Sequence, residues 1–174
     1  GRATGVVLRD GGEYHAPIVV SATDPRRTFL ELVDPRELPT ELVEQIQRFR
    51  FQGTSAKVNF ALDGYPRFPG FGERTDHLRG FTNIGPSMEY LERAFDDAKY
   101  GWYSKRPYID TAVQSAVDPD MAPPGKAVMS CFVQYAPYHL DPSLGGWDQQ
   151  REAFGDAVVN RIAEFAPDLP SKIL

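Results

Sequence analysis

The chain has 174 residues, 41% hydrophobic and 25% charged, with 19 Lys and Arg against 24 Asp and Glu for a formal charge of −5. This is the size and composition of one globular domain, and the acidic balance argues against a nucleic-acid surface, which needs clustered cations. A single cysteine excludes an intramolecular disulfide framework and a Cys-rich metal site, and no run approaches the ~20 apolar residues of a membrane-spanning helix.

None of the three methionines, at 88, 121 and 129, stands first. The chain opens on Gly1-Arg2-Ala3 and runs at once into strand-like sequence, so the expectation is a piece of a larger protein. Residues 4–8 read as a strand, and Asp10-Gly11-Gly12-Glu13 supplies a hairpin turn whose residues tolerate positive φ. The return arm, 14–21, ends in the apolar run Ile18-Val19-Val20; Pro17 fits only a strand start or edge. Asp24-Pro25 gives an N-cap and a proline at the first helical position, and Phe29, Leu32 and Val33 form the apolar face of a short helix. The span 18–33 therefore reads as a β-then-α unit typical of a parallel sheet. Such a strand needs neighbours and cover on both faces, and no second unit of this kind follows. The segment reads as a limb of a sheet located elsewhere.

A helix is expected over 39–50, with Leu42, Val43, Ile46 and Phe49 at helical spacing and Gly53 closing it. Residues 55–62 alternate, with Ala56, Val58, Phe60 and Leu62 on one side and Lys57 and Asn59 on the other. After a loop-rich stretch come a short strand near 81–84, a helix with Met88, Leu91 and Phe95 inward, a strand near 108–114 and a long apolar strand over 126–135. A final helix from Trp147 or Asp148 buries Phe154, Val158, Ile162 and Phe165. The sum is an α+β fold, a mostly antiparallel sheet flanked by helices.

The absences narrow the chemistry. Gly70-Phe71-Gly72 lacks the third glycine of a dinucleotide-binding turn, and the sequence has no phosphate-binding P-loop and no nucleophile elbow. His15, His77 and His139 are scattered, so no metal site is expected. Cys131, mid-strand among apolar neighbours, reads as an inert buried thiol, and Asp96-Asp97 as a solvated helix face. Lys57 and Asn59 admit two readings: their side of the strand faces solvent, as such residues mostly do, or it faces a ligand cavity, where a lysine can hold a water or tune a neighbour. Ser130 and Gln134 raise the same question on the 126–135 strand, as satisfied core polars or as pocket donors. Tyr65, Phe68, Phe71, Tyr135 and Tyr138 are candidates to line an apolar pocket.

Several strings then stand out together: Ser21-Ala22-Thr23-Asp24-Pro25-Arg26-Arg27-Thr28-Phe29-Leu30, Gly53-Thr54-Ser55-Ala56-Lys57-Val58-Asn59-Phe60-Ala61-Leu62, Pro86-Ser87-Met88-Glu89-Tyr90-Leu91-Glu92, Asp96-Asp97-Ala98-Lys99, Ala122-Pro123-Pro124-Gly125 and Phe132-Val133-Gln134-Tyr135-Ala136-Pro137-Tyr138. In order and spacing, over nearly the whole chain, they resemble the phytoene-dehydrogenase-related branch of the FAD-dependent amine-oxidase and carotenoid-desaturase superfamily. The resemblance implies a two-part architecture, a FAD domain built from separated segments and an inserted substrate domain. Residues 1–23 then correspond to a remnant of the FAD-binding domain and 24–174 to the substrate-binding domain. It implies cofactor contacts at Ser21, Ala22 and Thr23; on the cavity reading of the strands, Asn59, Ser130, Gln134 and Tyr135 are the candidate substrate contacts. Lys57 resembles the lysine that amine oxidases of the superfamily carry toward the flavin through a water, a residue the desaturase relatives do not all keep.

The function so implied is that of a fragment of a FAD-dependent dehydrogenase or desaturase acting on an apolar small molecule. It is expected to be cytoplasmic, without a nucleic-acid partner or transmembrane segment, and inactive without the missing glycine turn. An oligomer is left open. The alternative is a cofactor-free module that binds hydrophobic ligands or a protein partner.

Overall fold

A computed structural model describes residues 1–50 and 52–174. The chain divides into two compact units, Gly1–Phe51 and Gln52–Leu174.

In the first unit β1 (Gly5–Val7) and β2 (Glu13–His15) form an antiparallel hairpin, Gly5 opposite His15 and Val7 opposite Glu13. Gly11 takes the left-handed conformation the turn requires (φ 90°), and Asp10 accepts from the Gly12 N–H at 3.0 Å. The expected N-cap is present: the Asp24 carboxylate accepts from the Arg27 N–H at 2.9 Å ahead of α1 (Pro25–Arg27), which runs on into a π-helical turn, Thr28–Leu32. α2 (Thr40–Arg48) follows and ends with Phe49 already extended, so Gly53 does not close it. The strand expected at 18–20 does not form. No described strand lies beside it to supply a ladder, and Ile18 and Val20 remain 77% and 84% exposed. No described residue of this unit is buried.

The second unit holds the core. Its sheet has the order β3 (Ser55–Leu62), β6 (Ala127–Gln134), β5 (Tyr108–Val113), β4 (Phe81–Ile84), antiparallel throughout. Alternation fixes its two faces. Phe60, Leu62, Ile84, Ile109, Val113, Met129, Cys131 and Val133 point to one side, where Phe154, Val158 and Ile162 of α4 (Trp147–Ala163) close a buried cluster with them. α5 (Leu169–Lys172) adds Leu169 to that core, and the Leu62–Ile173 bridge ties the last residues to β3.

α3 (Met88–Lys99) starts as the sequence predicts, with the Ser87 hydroxyl accepting from the Tyr90 N–H at 3.1 Å. Its inward line is different. Ala94 is buried and Leu91 and Ala98 half-buried, whereas Met88 is 75% exposed and Phe95 lies at the surface against Tyr135. The stripe 91–94–98 is turned from 88–91–95 by less than one helical position, which spacing alone does not separate. Phe165, expected inside, is also exposed; its ring instead lies 4.9 Å from the Arg161 guanidinium.

Candidate functional site

The face of the sheet opposite the core carries the predicted site residues. Side chains paired across antiparallel strands point the same way, so the register defines rows. Lys57, Phe132, Asp110 and Asn83 form the central row across all four strands. On one side lie Asn59, Ser130, Ala112 and Phe81, and on the other Ser55, Gln134 and Tyr108. Lys57 and Asn59 are exposed, Phe132 is 41% exposed and Phe81 74%. Most positions on this face are thus polar, with Phe132 in the central row and Phe81 on the edge strand as its large apolar groups.

The polar groups are arranged in pairs. Ser130, buried, donates from Oγ to Asn59 Oδ1 at 2.7 Å, and Gln134 Nε2 donates to Ser55 Oγ at 3.3 Å. Ser130 and Gln134 therefore answer to β3 and not to each other, and Lys57 stands between the two pairs with no ion-pair partner among the described residues. Tyr135 leaves the row: its ring packs on Phe95 with centroids 5.0 Å apart, and its carbonyl accepts from the Ser104 N–H.

A cluster that sequence reasoning passed over occupies the far end. Tyr108 donates its hydroxyl to Asp110 Oδ1 at 2.6 Å, and Asn83 Nδ2 donates to the same oxygen and to the Tyr108 hydroxyl. The bond to Asp110, with burial adding to it, raises the Tyr108 phenol pKa above its usual value, so the hydroxyl stays protonated and donating. One carboxylate oxygen is thereby fixed, and the other has no hydrogen-bond partner among the described residues. The signal was in the sequence: Asp110 sits between Ile109 and Thr111 in a strand, where aspartate is depleted unless it has a partner. Gly85 guards the arrangement, since a Cβ there falls 2.5 Å from the Tyr108 ring.

Behind Lys57, on the core side, burial pushes the Cys131 thiol up to about 12 although the Lys57 charge opposes it. It is an unreactive core residue. Asp96 is exposed and pairs with Lys99 at 2.7 Å, whereas Asp97 is half-buried and accepts from the Lys105 N–H. The loop aromatics do not gather in one pocket. Phe68 and Phe71 pack on His77, Tyr65 donates to the Ser115 carbonyl, and Tyr138 lies in a groove beside β3.

In the first unit Ser21, Ala22 and Thr23 line a cleft of about 620 Å³. The Ser21 and Thr23 hydroxyls each meet that of Thr28 at 2.7 Å. By themselves these groups do not make up a dinucleotide site: the hydroxyls are engaged with one another, α1 is a three-residue helix, and no glycine-rich turn joins a strand to a helix among the described residues. Among those residues no cluster of three or more His, Cys, Asp or Glu is placed to hold a metal, and no helix is long and apolar enough to cross a membrane.

No family model matches the chain. It is 35% identical over 180 residues to pyridine nucleotide-disulfide oxidoreductase domain-containing protein 2 of Mus musculus, and 36% identical over 183 residues to the protein of that name from Rattus norvegicus. Each alignment takes in 100% of this chain and 31% of the relative. The chain spans about a third of the length of these curated relatives, and it is similar, along its whole length, to a segment of proteins named for an oxidoreductase domain.

Proposed function

We propose that the chain is the substrate-side segment of a FAD-dependent oxidoreductase of the phytoene-dehydrogenase-like kind. The open face of its sheet forms one wall of the chamber in which an apolar substrate is oxidised. The observation that carries this reading is the end-to-end similarity to oxidoreductase-domain proteins about three times as long. The sheet supports it, with α4 and α5 packed on one face and, on the other, Phe132, Phe81 and Ala112 set among polar side chains.

On this reading FAD is held by parts of the parent protein outside this chain, because the residues present do not form its site. Residues 1–23 belong with the flavin-holding part and 24–174 with the substrate part. Phe132 and Phe81 give the substrate an apolar bed. Lys57, Asn59 and Asp110 present a cation, an amide and a carboxylate that orient its polar atoms, while Ser130, Gln134 and Tyr108 hold that set in position.

The test compares the parent open reading frame with the 174-residue chain. Purified parent is expected to carry FAD, seen in its visible absorbance, and the chain alone to carry none. Lys57→Ala in the parent is expected to slow flavin reduction by substrate about tenfold or more, the scale of one lost polar contact in the transition state. Stoichiometric FAD on the isolated chain, or a parent that never binds FAD, overturns the reading; the second result favours the cofactor-free module. Unchanged reduction kinetics remove Lys57 from the site.

A further inference from the structure

β3 is an edge strand whose outer edge is closed at both ends and open between. Its backbone polarity alternates. The Thr54 carbonyl accepts from the Ala136 N–H at 2.8 Å on the β6 side, so odd-numbered residues turn their backbone groups outward. On that outer edge the Gly53 carbonyl accepts from the Tyr138 N–H at 3.0 Å. At the other end the Ala61 carbonyl accepts from the Leu174 N–H at 3.1 Å, and the Asp63 N–H donates to the Lys172 carbonyl at 2.7 Å. Between these closures the N–H and C=O groups of Ser55, Lys57 and Asn59 have no hydrogen-bond partner among the described residues. The gap is about 17 Å of strand at ~3.4 Å per residue.

A groove of about 870 Å³ runs along this gap. Its floor is apolar at Trp147 and Phe154, with Arg151 and Glu152 also on its lining: the Trp147 indole donates to the Pro137 carbonyl at 3.1 Å, and Phe154 meets the indole ring edge-to-face at 5.3 Å. Edge strands with free backbone groups are normally blunted or covered. Here the cover is missing while the bed for it is built.

We propose that a further β-strand, supplied by the rest of the parent polypeptide, docks on the outer edge of β3. This rests on the reading of the chain as a segment of a longer oxidoreductase, since 31% coverage leaves most of each relative outside the alignment. The added strand takes its ladder from Ser55, Lys57 and Asn59. Its alternate side chains are apolar and lie over Trp147 and Phe154, and those between them join the open face, with an acidic or polar residue beside the unpaired Lys57. A second copy of the chain fits less well, because the register that pairs all three residues sets Lys57 opposite its own copy.

Amide hydrogen exchange in the parent protein tests this. The N–H groups of Ala56, Val58 and Phe60 are bonded to β6 and exchange slowly in any case. If the strand docks, those of Ser55, Lys57 and Asn59 are slowed by about 100-fold or more relative to free edge amides, and the odd–even alternation disappears. Ser55→Pro removes one outward donor without touching the β6 ladder; it is expected to restore fast exchange at Lys57 and Asn59 and leave β6 protection intact. Persistent alternation in FAD-loaded parent overturns the proposal and leaves the oxidoreductase reading standing. Slow odd amides in a parent without FAD do the reverse. Protection that vanishes on dilution marks a second copy on the edge and also overturns it.

Discussion

Ser130 is a buried hydroxyl whose one described bond goes across to Asn59. Removing it frees Asn59 Oδ1 to water, so Ser130→Ala is expected to cost about 0.5–1 kcal/mol in denaturant unfolding. The larger effect belongs to Asn59, whose amide loses its fixed orientation on the open face. Asp168 shows how a single carboxylate contributes with pH. Desolvation alone would raise its pKa, but the Arg67 N–H at 3.0 Å and the Lys172 ammonium at 2.9 Å outweigh it and hold the group below the usual carboxylate value. A lowered folded-state value means that the contribution is complete above the unfolded value of ~3.9 and is lost as pH falls through the folded one. Stability of the second unit is therefore expected to fall with acidification below about pH 4, and Asp168→Asn to flatten that slope. A variant whose acid slope matches the parent sequence would show that Asp168 adds nothing.

At the scale of elements, legibility followed how local the determinant was. The alternation in 55–62 gave β3 its observed bounds, and Asp24-Pro25 gave the start of α1, because one strand's periodicity or one cap's side chain decides each. The failures needed a neighbour. Ile18-Val19-Val20 has strand sequence but no partner among the described residues, and Met88 and Phe95 have core chemistry on the wrong side of α3. The site divides the same way. Lys57 and Asn59 were visible because their strand alternates, whereas Asp110 gains its meaning from Tyr108 two residues away and from Asn83 on another strand. Pairing of two strands with a helix between them in the chain is not written in local pattern.

For the molecule as a whole, the two units differ in what holds them. Every buried residue described lies in the second, while the first relies on its hairpin, caps and surface pairs. Hydrogen exchange of this chain is accordingly expected to be graded, with amides of β1, β2 and α2 exchanging orders of magnitude faster than those of β6 and α4. Uniform protection across both units would contradict that picture. The exposed Ile18 and Val20 belong to the same contrast: apolar side chains with strand propensity, left in solvent, are the surface a parent protein would cover.

The buried state of Cys131 has a practical side. With its thiol enclosed in the central sheet and weakly acidic, the native chain offers thiol reagents no accessible nucleophile. In the isolated chain a cysteine placed singly at Ser55, Asn59, Phe132 or Asn83 is then the sole accessible labelling point, and in the parent its labelling is read against the parent without the substitution. The rates at which such variants react, in the isolated chain and in the parent, would trace the footprint of whatever lies over the open face, position by position, without knowledge of the substrate.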